Sequence, residues 1–246
     1  MGAFVMLLLA PVSFTRADSA PRWLRPGVYV DYEGNVTMRQ QGAASSYTGN
    51  MSWTVTGISN GTVFITEKVF RSPDFLERRY EIEEGSRMVL RIAGEHVENQ
   101  TTYFWVETNL ANGSLVQVEN FTFPVVNQET LLVGGLSRPC WVVNGTFNTT
   151  AAEGLVTRWY DVETGLLLKA FLHVALQRDG SLLEGVAVIA AIRTNALGPQ
   201  VGSLPVLPVE ISAASLAAGG LLLSVASARR RRRLKTCRAD LSSSVR

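Results

Sequence analysis

The sequence predicts a mainly β protein, an antiparallel curved sheet of half-barrel or sandwich type, anchored by one C-terminal transmembrane α-helix. Three observations carry this expectation. The middle of the chain alternates apolar and polar residues in short runs separated by turn signals. A charge-free stretch, Ile211 to Ala228, is followed at once by five arginines. Eight glycosylation sequons lie between the two apolar ends, and none lies beyond them.

The composition suits a folded chain. With 246 residues, 46% hydrophobic and 18% charged, it has enough apolar material for one large β domain or two small ones. The net charge of +2 is unevenly placed: residues from Arg229 onward contribute +7, leaving −5 on everything before them. The two cysteines, Cys140 and Cys237, flank the apolar stretch and so do not pair across a membrane. An exported domain without disulfides but with many sequons points to a microbial, archaeal envelope.

The ends set the expected topology. Met1 to Val12 is too short to cross a bilayer and reads as the apolar part of an export signal, so residues 1–20 are expected to be a signal peptide. Residues 21–195 form the expected outer domain and residues 196–210, rich in Pro and Gly, a stalk. Residues 211–228 span roughly 27 Å at about 1.5 Å per residue, close to the hydrocarbon thickness of a bilayer. The basic tail, 229–246, is expected in the cytoplasm, with Arg229, Arg230, Arg231, Arg232, Arg233 and Lys235 against anionic lipid headgroups, not nucleic acid. Small residues four apart, such as Ser215 and Gly219, would also let a second helix approach, and so permit oligomerisation.

The sequons begin at Asn35, Asn50, Asn60, Asn99, Asn112, Asn120, Asn144 and Asn148. With 11 asparagines and 38 serines plus threonines, chance would give roughly two. Asn60-Gly61, Asn112-Gly113 and Asn144-Gly145 are also hairpin-turn pairs, which suits an exposed acceptor equally well.

Element by element, Met51 to Thr56 alternates with period two, and Thr62 to Phe70 returns from the turn at Gly57 to Gly61. Leu76 to Glu83 places Leu76, Tyr80 and Ile82 on one side and Glu77, Arg79, Glu81 and Glu83 on the other. After a turn at Glu84 to Ser86, Met88, Leu90 and Ile92 are expected inward, with Arg87 and Arg91 outward. Thr101 to Leu110 and Leu115 to Phe123 are expected to form a hairpin about Asn112-Gly113. Leu155 to Tyr160, Leu166 to Gln177 and Leu182 to Thr194 read as a three-stranded meander whose long strands imply a curved sheet.

The turn in that meander, Trp159-Tyr160-Asp161-Val162-Glu163-Thr164-Gly165-Leu166-Leu167-Leu168-Lys169, carries a Tyr-Asp-x-x-Thr-Gly-Leu pattern. It resembles a hairpin of envelope proteins with a curved antiparallel half-barrel, among them lipoprotein carriers and single-pass archaeal surface glycoproteins. The resemblance covers about a dozen residues and implies the fold; in the carriers the concave face holds an acyl chain. Physically, Asp161 is expected to cap the turn and Gly165 to take a positive φ.

No catalytic constellation is evident. His96 and His173 are far apart and have no metal-ligand spacing around them, and no nucleophile, phosphate-loop or metal motif occurs. The acids Glu81, Glu83, Glu84, Asp161 and Glu163 read as surface and turn residues, and Cys140 as a small buried hydrophobe. The expectation is a non-enzymatic binding or structural module on the cell surface, without metal or cofactor. The alternatives are an envelope protein that binds a lipid or other apolar ligand, with Trp53, Tyr103 and Trp105 lining the groove, or an accessory subunit of a membrane complex. An exo-facing hydrolase would need Glu81, Asp161 and His96 to converge.

Overall fold

The computed structural model describes residues 21–40, 42–71, 74–149, 152–178 and 181–197. The expected signal peptide, membrane helix and basic tail lie outside the described residues. Among the described residues no helix is long and apolar enough to cross a membrane.

Twelve strands follow in chain order: β1 Tyr29–Gln40, β2 Ala43–Ser59, β3 Thr62–Arg71, β4 Asp74–Glu83, β5 Val89–Ile92, β6 Glu95–His96, β7 Leu115–Val118, β8 Phe121–Val133, β9 Leu136–Asn148, β10 Ala152–Asp161, β11 Leu167–Arg178 and β12 Ser181–Thr194. They form one sheet in the order β6-β5-β4-β3-β2-β1-β12-β11-β10-β9-β8-β7. Each strand pairs antiparallel with the next in the chain except β6 and β7, which form the two edges, and at the centre the first strand meets the last, Val30 opposite Thr194 through Gln40 opposite Leu183. Two meanders are thus joined along β1 and β12.

Local chemistry accounts for the turns. Asn60 and Gly61 both have positive φ, 52° and 73°, as the tight β2–β3 connection requires. Between β10 and β11, Asp161 Oδ2 accepts from the Thr164 backbone N–H at 2.8 Å and its hydroxyl at 2.6 Å, and Gly165 has φ 72°. The expected three-stranded meander is present as β10, β11 and β12.

The sheet is strongly curled. In a flat sheet with strands about 4.8 Å apart, β8 and β12 would lie roughly 19 Å from each other. Here they touch. Glycines on the inner face permit the bend: Gly34 and Gly49 are directly paired on β1 and β2, and Gly145, Gly154 and Gly185 lie on β9, β10 and β12. A Cβ on Gly34 would sit 2.6 Å from the Val188 carbonyl oxygen and 2.8 Å from Ile189 Cγ2, so the backbones there approach more closely than any side chain allows.

The basal end of the sheet is the one where the described chain enters and leaves. Asn195 latches the two together: its Oδ1 accepts from the Tyr29 N–H at 2.9 Å and its Nδ2 donates to the Gly27 carbonyl at 3.1 Å. Ala196 is buried and Leu197 packs against the core, so the packed domain runs past residue 195 into the start of the expected stalk.

Three local expectations are corrected. Thr101 to Leu110 is not a strand, and the neighbouring hairpin is β7–β8, turning at Glu119 (φ 57°) and Asn120 instead of Asn112-Gly113. Asn144-Gly145 lies inside β9, where pairing with Thr157 and Val156 overrides local turn preference. Arg87 points inward and is 5% exposed, in phase with the buried Val89 and not with Met88 and Leu90 as expected, because a register shift between Glu81 and Ile82 sets Val89 opposite the inward Ile82.

Replacing Gly34 with Val is expected to destabilise the domain by about 2–3 kcal/mol, the usual cost of forcing atoms into a packed site. Gly85→Ala, where an added Cβ meets nothing, should change stability by less than about 0.5 kcal/mol. Denaturant unfolding of the two variants checks this.

Candidate functional site

The inner face of the sheet is covered in its basal half by the chain itself. The 97–114 segment joins β6 to β7, the two opposite edges of the sheet, and crosses the interior to do so. Thr101 bridges Met88 on one side and Glu119 on the other. Backbone bonds from Val89 N to Gln100 O (2.7 Å), Thr102 N to Arg87 O (2.9 Å), and Glu119 N to Thr101 O (3.0 Å) stitch both edges to this one segment.

Beyond Thr102 the segment becomes an aromatic plug. Phe104 is buried against Trp53 of β2 at a ring-centroid distance of 5.3 Å and against Tyr80 of β4 at 5.2 Å. Trp105 packs edge-on to Trp23 at 6.0 Å. The plug's backbone polar groups are paired as burial demands. The Leu167 N–H donates to the Phe104 carbonyl at 3.0 Å, and the Val106 N–H donates to the Gly165 carbonyl at 2.9 Å. A Cβ on Gly165 would lie 2.1 Å from the Val106 carbonyl oxygen, so the geometry of that turn and the seating of the plug depend on the same glycine.

Arg87 secures the plug from below. Its Nη1 donates to the Trp105 carbonyl at 3.0 Å, while Nε and Nη2 grip both carboxylate oxygens of Glu107 at 2.9 and 3.1 Å. Beside it opens a cleft of about 550 Å³ with Trp23, Glu84, Arg87, Trp105, Glu107 and Thr164 in its walls. Its charged groups are of both signs, and the Arg87 guanidinium is already engaged.

At mid-height the inner face carries a charged belt. Glu67 of β3, 2% exposed, accepts hydrogen bonds from the hydroxyls of Tyr80 (2.8 Å) and Tyr103, with Arg78 at 3.9 Å. Burial raises the Glu67 pKa, and the two hydroxyls and Arg78 offset part of that rise. Burial and the Glu67 charge hold both tyrosines well above their ordinary value, so they remain donors. On β10, Arg158 donates to Glu119 at 2.7 Å and lies 5.8 Å from the centre of the Tyr103 ring.

Above the belt the inner face is apolar. Successive cross-strand rows run Ala152–Leu176–Leu183, Gly154–Val174–Gly185–Met38 and Val156–Leu172–Ala187–Val36. Phe147 lies over Gly154, Phe123 over Gly145 and the Met38 sulfur over Gly185. Phe147, Ala152, Val174 and Leu176 form a cluster separate from the main core, with Phe121, Leu172 and Leu183 only partly buried on it.

The residues singled out from sequence are dispersed. Glu81, Arg91 and His96 share a cross-strand row on β4, β5 and β6, whereas Asp161 binds Arg138 at 2.8 Å on β10 and β9 in the other half of the sheet, so Glu81, Asp161 and His96 do not converge. His173 pairs with Glu184 at 2.8 Å on the outer face. Cys140 is buried, and burial pushes its thiol up to about 12. Of the residues expected to line a groove, Trp53 is buried beneath the plug, Tyr103 bonds to Glu67 in the belt, and Trp105, itself part of the plug, borders the basal cleft, so the three do not line one groove. Among the described residues no group of three or more His, Cys, Asp or Glu could hold a metal ion. The Glu67 belt went unseen in the sequence because its members, from β3, β4, β10 and the plug, share no spacing. One signal was present: Glu67 stands at an inward position of an alternating strand.

Arg87→Ala should cost about 3 kcal/mol, since it leaves Glu107 and the Trp105 carbonyl without their donor; thermal unfolding measures it. A carboxyl with a raised folded pKa stabilises the fold only while protonated. The Glu67 contribution is therefore whole below the ordinary 4.5 and lost as pH rises through the higher folded value. Urea titrations across that range should show stability falling in the native protein, and a flatter profile in Glu67→Gln.

No family model matches the sequence, and no curated protein matches it. Among solved structures the chain is similar to a candidate lipoprotein from Parabacteroides distasonis, at 9% identity and a TM-score of 0.32, over 70% of this chain and 98% of that one. It is also similar to a DUF1329 family protein from Desulfovibrio piger, at 13% identity and a TM-score of 0.22, over 69% and 85% of the two chains. At these scores neither likeness assigns a fold or a function to the chain.

Proposed function

We propose that this protein is a membrane-tethered envelope module that binds an apolar ligand on the distal half of its inner sheet face, without turnover. The observation that carries the reading is the contrast between the two halves of that face. The basal half is filled by the chain's own Phe104 and Trp105. The distal half presents three cross-strand rows without a charged side chain, and Phe121, Leu172 and Leu183 remain partly exposed there. Apolar side chains arrayed on a concave surface with a few polar groups at one end are the usual make-up of a small-molecule site.

Two features favour an acyl chain or similar slender ligand. The hollows above Gly154, Gly145 and Gly185 are occupied by Phe147, Phe123 and Met38, side chains that can turn aside about χ1 and χ2. The belt of Glu67, Arg78, Arg158 and Glu119 closes the trough towards the plug with polar groups that suit a ligand's head.

The tether rests on the sequence: residues 211–228 as a membrane helix, the arginine cluster on the cytoplasmic side, and the sequons outside. The joined entry and exit of the domain at its basal end are consistent with one attachment point there, the trough opening away from the membrane.

The test is binding of a fluorescent fatty acid to the full chain in detergent-free nanodiscs, together with mass spectrometry of lipids extracted from the purified protein. The expected result is saturable binding, weakened at least tenfold by Leu183→Glu at a half-buried position on the trough, with circular dichroism checking that the variant is folded. Absence of both binding and co-purified lipid would overturn the ligand and leave a structural or partner-binding module.

A further inference from the structure

The outer face of the sheet carries an exposed aromatic pair that the ligand reading does not use. Phe70 and Phe75, opposite one another on β3 and β4, are 49% and 53% exposed, with ring centroids 4.9 Å apart. Side chains this large and apolar, side by side in solvent, call for a cover.

The register supplies one. Asn50 on β2 lies directly opposite Phe70, so that Asn50, Phe70 and Phe75 form one cross-strand row. Neighbouring side chains in such a row stand about 5 Å apart on the same face. Asn50 is exposed and begins the sequon Asn50-Met51-Ser52.

Four of the sequons lie in strands, at Asn35, Asn50, Asn144 and Asn148, and all four fall on the outer face. Their flanking residues Val36, Met51, Val143 and Phe147 are the buried ones. Alternation alone would place half of them inside. The other four, at Asn60, Asn99, Asn112 and Asn120, are exposed in turns and loops.

We infer that the N-linked glycan of Asn50 lies across Phe70 and Phe75, so that this aromatic pair is a carbohydrate platform built into the sheet. A pyranose ring has a face of C–H bonds that packs flat on an aromatic ring while its hydroxyls stay in water, as the amphipathic rings of Tyr and Trp do at interfaces. The first sugar is held within reach by its bond to Asn50, so the contact needs no separate association and loses little entropy. A protein partner approaching the pair would meet that sugar first. The inference rests on the sequons being used and is independent of the apolar ligand.

Glycopeptide mass spectrometry of the protein from its native membrane is the first arm: Asn50 is expected to be occupied. If other sequons carry glycans and Asn50 is bare, the platform is refuted; if none does, the sequon reading falls with it. The second arm is a double-mutant cycle in the native host, comparing Phe70→Ser/Phe75→Ser with and without Asn50→Gln. The serine change should lower the melting temperature by about 2–4 °C more with the glycan present than in the Asn50→Gln background, where only the contact between the two rings is lost. Additive shifts would overturn the contact. So would a dimer of the native protein in analytical ultracentrifugation that the serine variant loses, since the pair would then be covered by a second copy.

Discussion

The closure of the sheet through Thr101 is the constraint on which the rest of the structure depends. A twelve-stranded sheet with β6 and β7 at its opposite edges has two unpaired borders and a wide apolar face, both costly in water. One short segment resolves both. Residues 100–102 bond to the chain beside β5 and to the turn before β8, and the next three residues drive aromatic rings into the space so enclosed. Burying irregular backbone is tolerable where its polar groups find partners. Arg87, Gly165 and Leu167 supply those partners, and all three belong to turns or strand starts at the basal end.

That arrangement divides the interior by height. At the base, packing is complete and the aromatic contacts among Trp23, Trp53, Phe104 and Trp105 leave little freedom. At mid-height, carboxylates and guanidinium groups are buried but mutually engaged, which makes the belt an electrostatic floor with directional demands. Above it the glycines that allow the sheet to bend also remove side chains from its inner surface, so curvature and hollows have one origin. A site that arises in this way is shaped by the backbone and filled by movable rings, and its specificity would be for shape more than for a pattern of hydrogen bonds.

The outer face follows a different logic. Its pairs, such as Arg91 with Glu81 and Arg193 with Asp31, are exposed and contribute little each. The strand-borne sequons lie on this face, away from the apolar trough. Polar strand positions are thereby kept on one side of a single layer and the apolar trough on the other, a separation that period-two alternation makes possible.

How much of this was legible depended on how local its cause was. Local chemistry was enough for the β2–β3 turn at Asn60-Gly61, the Asp161-to-Gly165 cap and the long meander that follows, because each rests on neighbouring residues. Strand alternation likewise showed that Tyr80 and Ile82 share a face. The sequence did not reveal that Thr101 to Leu110 leaves the strand pattern, since its alternation of Thr, Tyr, Trp and Val fits a strand equally well; what decides is that both edges of the sheet compete for the same segment. Nor did it reveal the inward Arg87, whose direction follows the register between β4 and β5, or the Glu67 belt, whose members come from separate parts of the chain. By itself the sequence determined the β2–β3 hairpin and the β10–β12 meander with their turns, each set by neighbours in the chain. Which half of the inner face is filled and which lies open was decided only in the tertiary structure, because the segment that fills it is placed by bonds to both edges of the sheet, which lie far apart in the strand order.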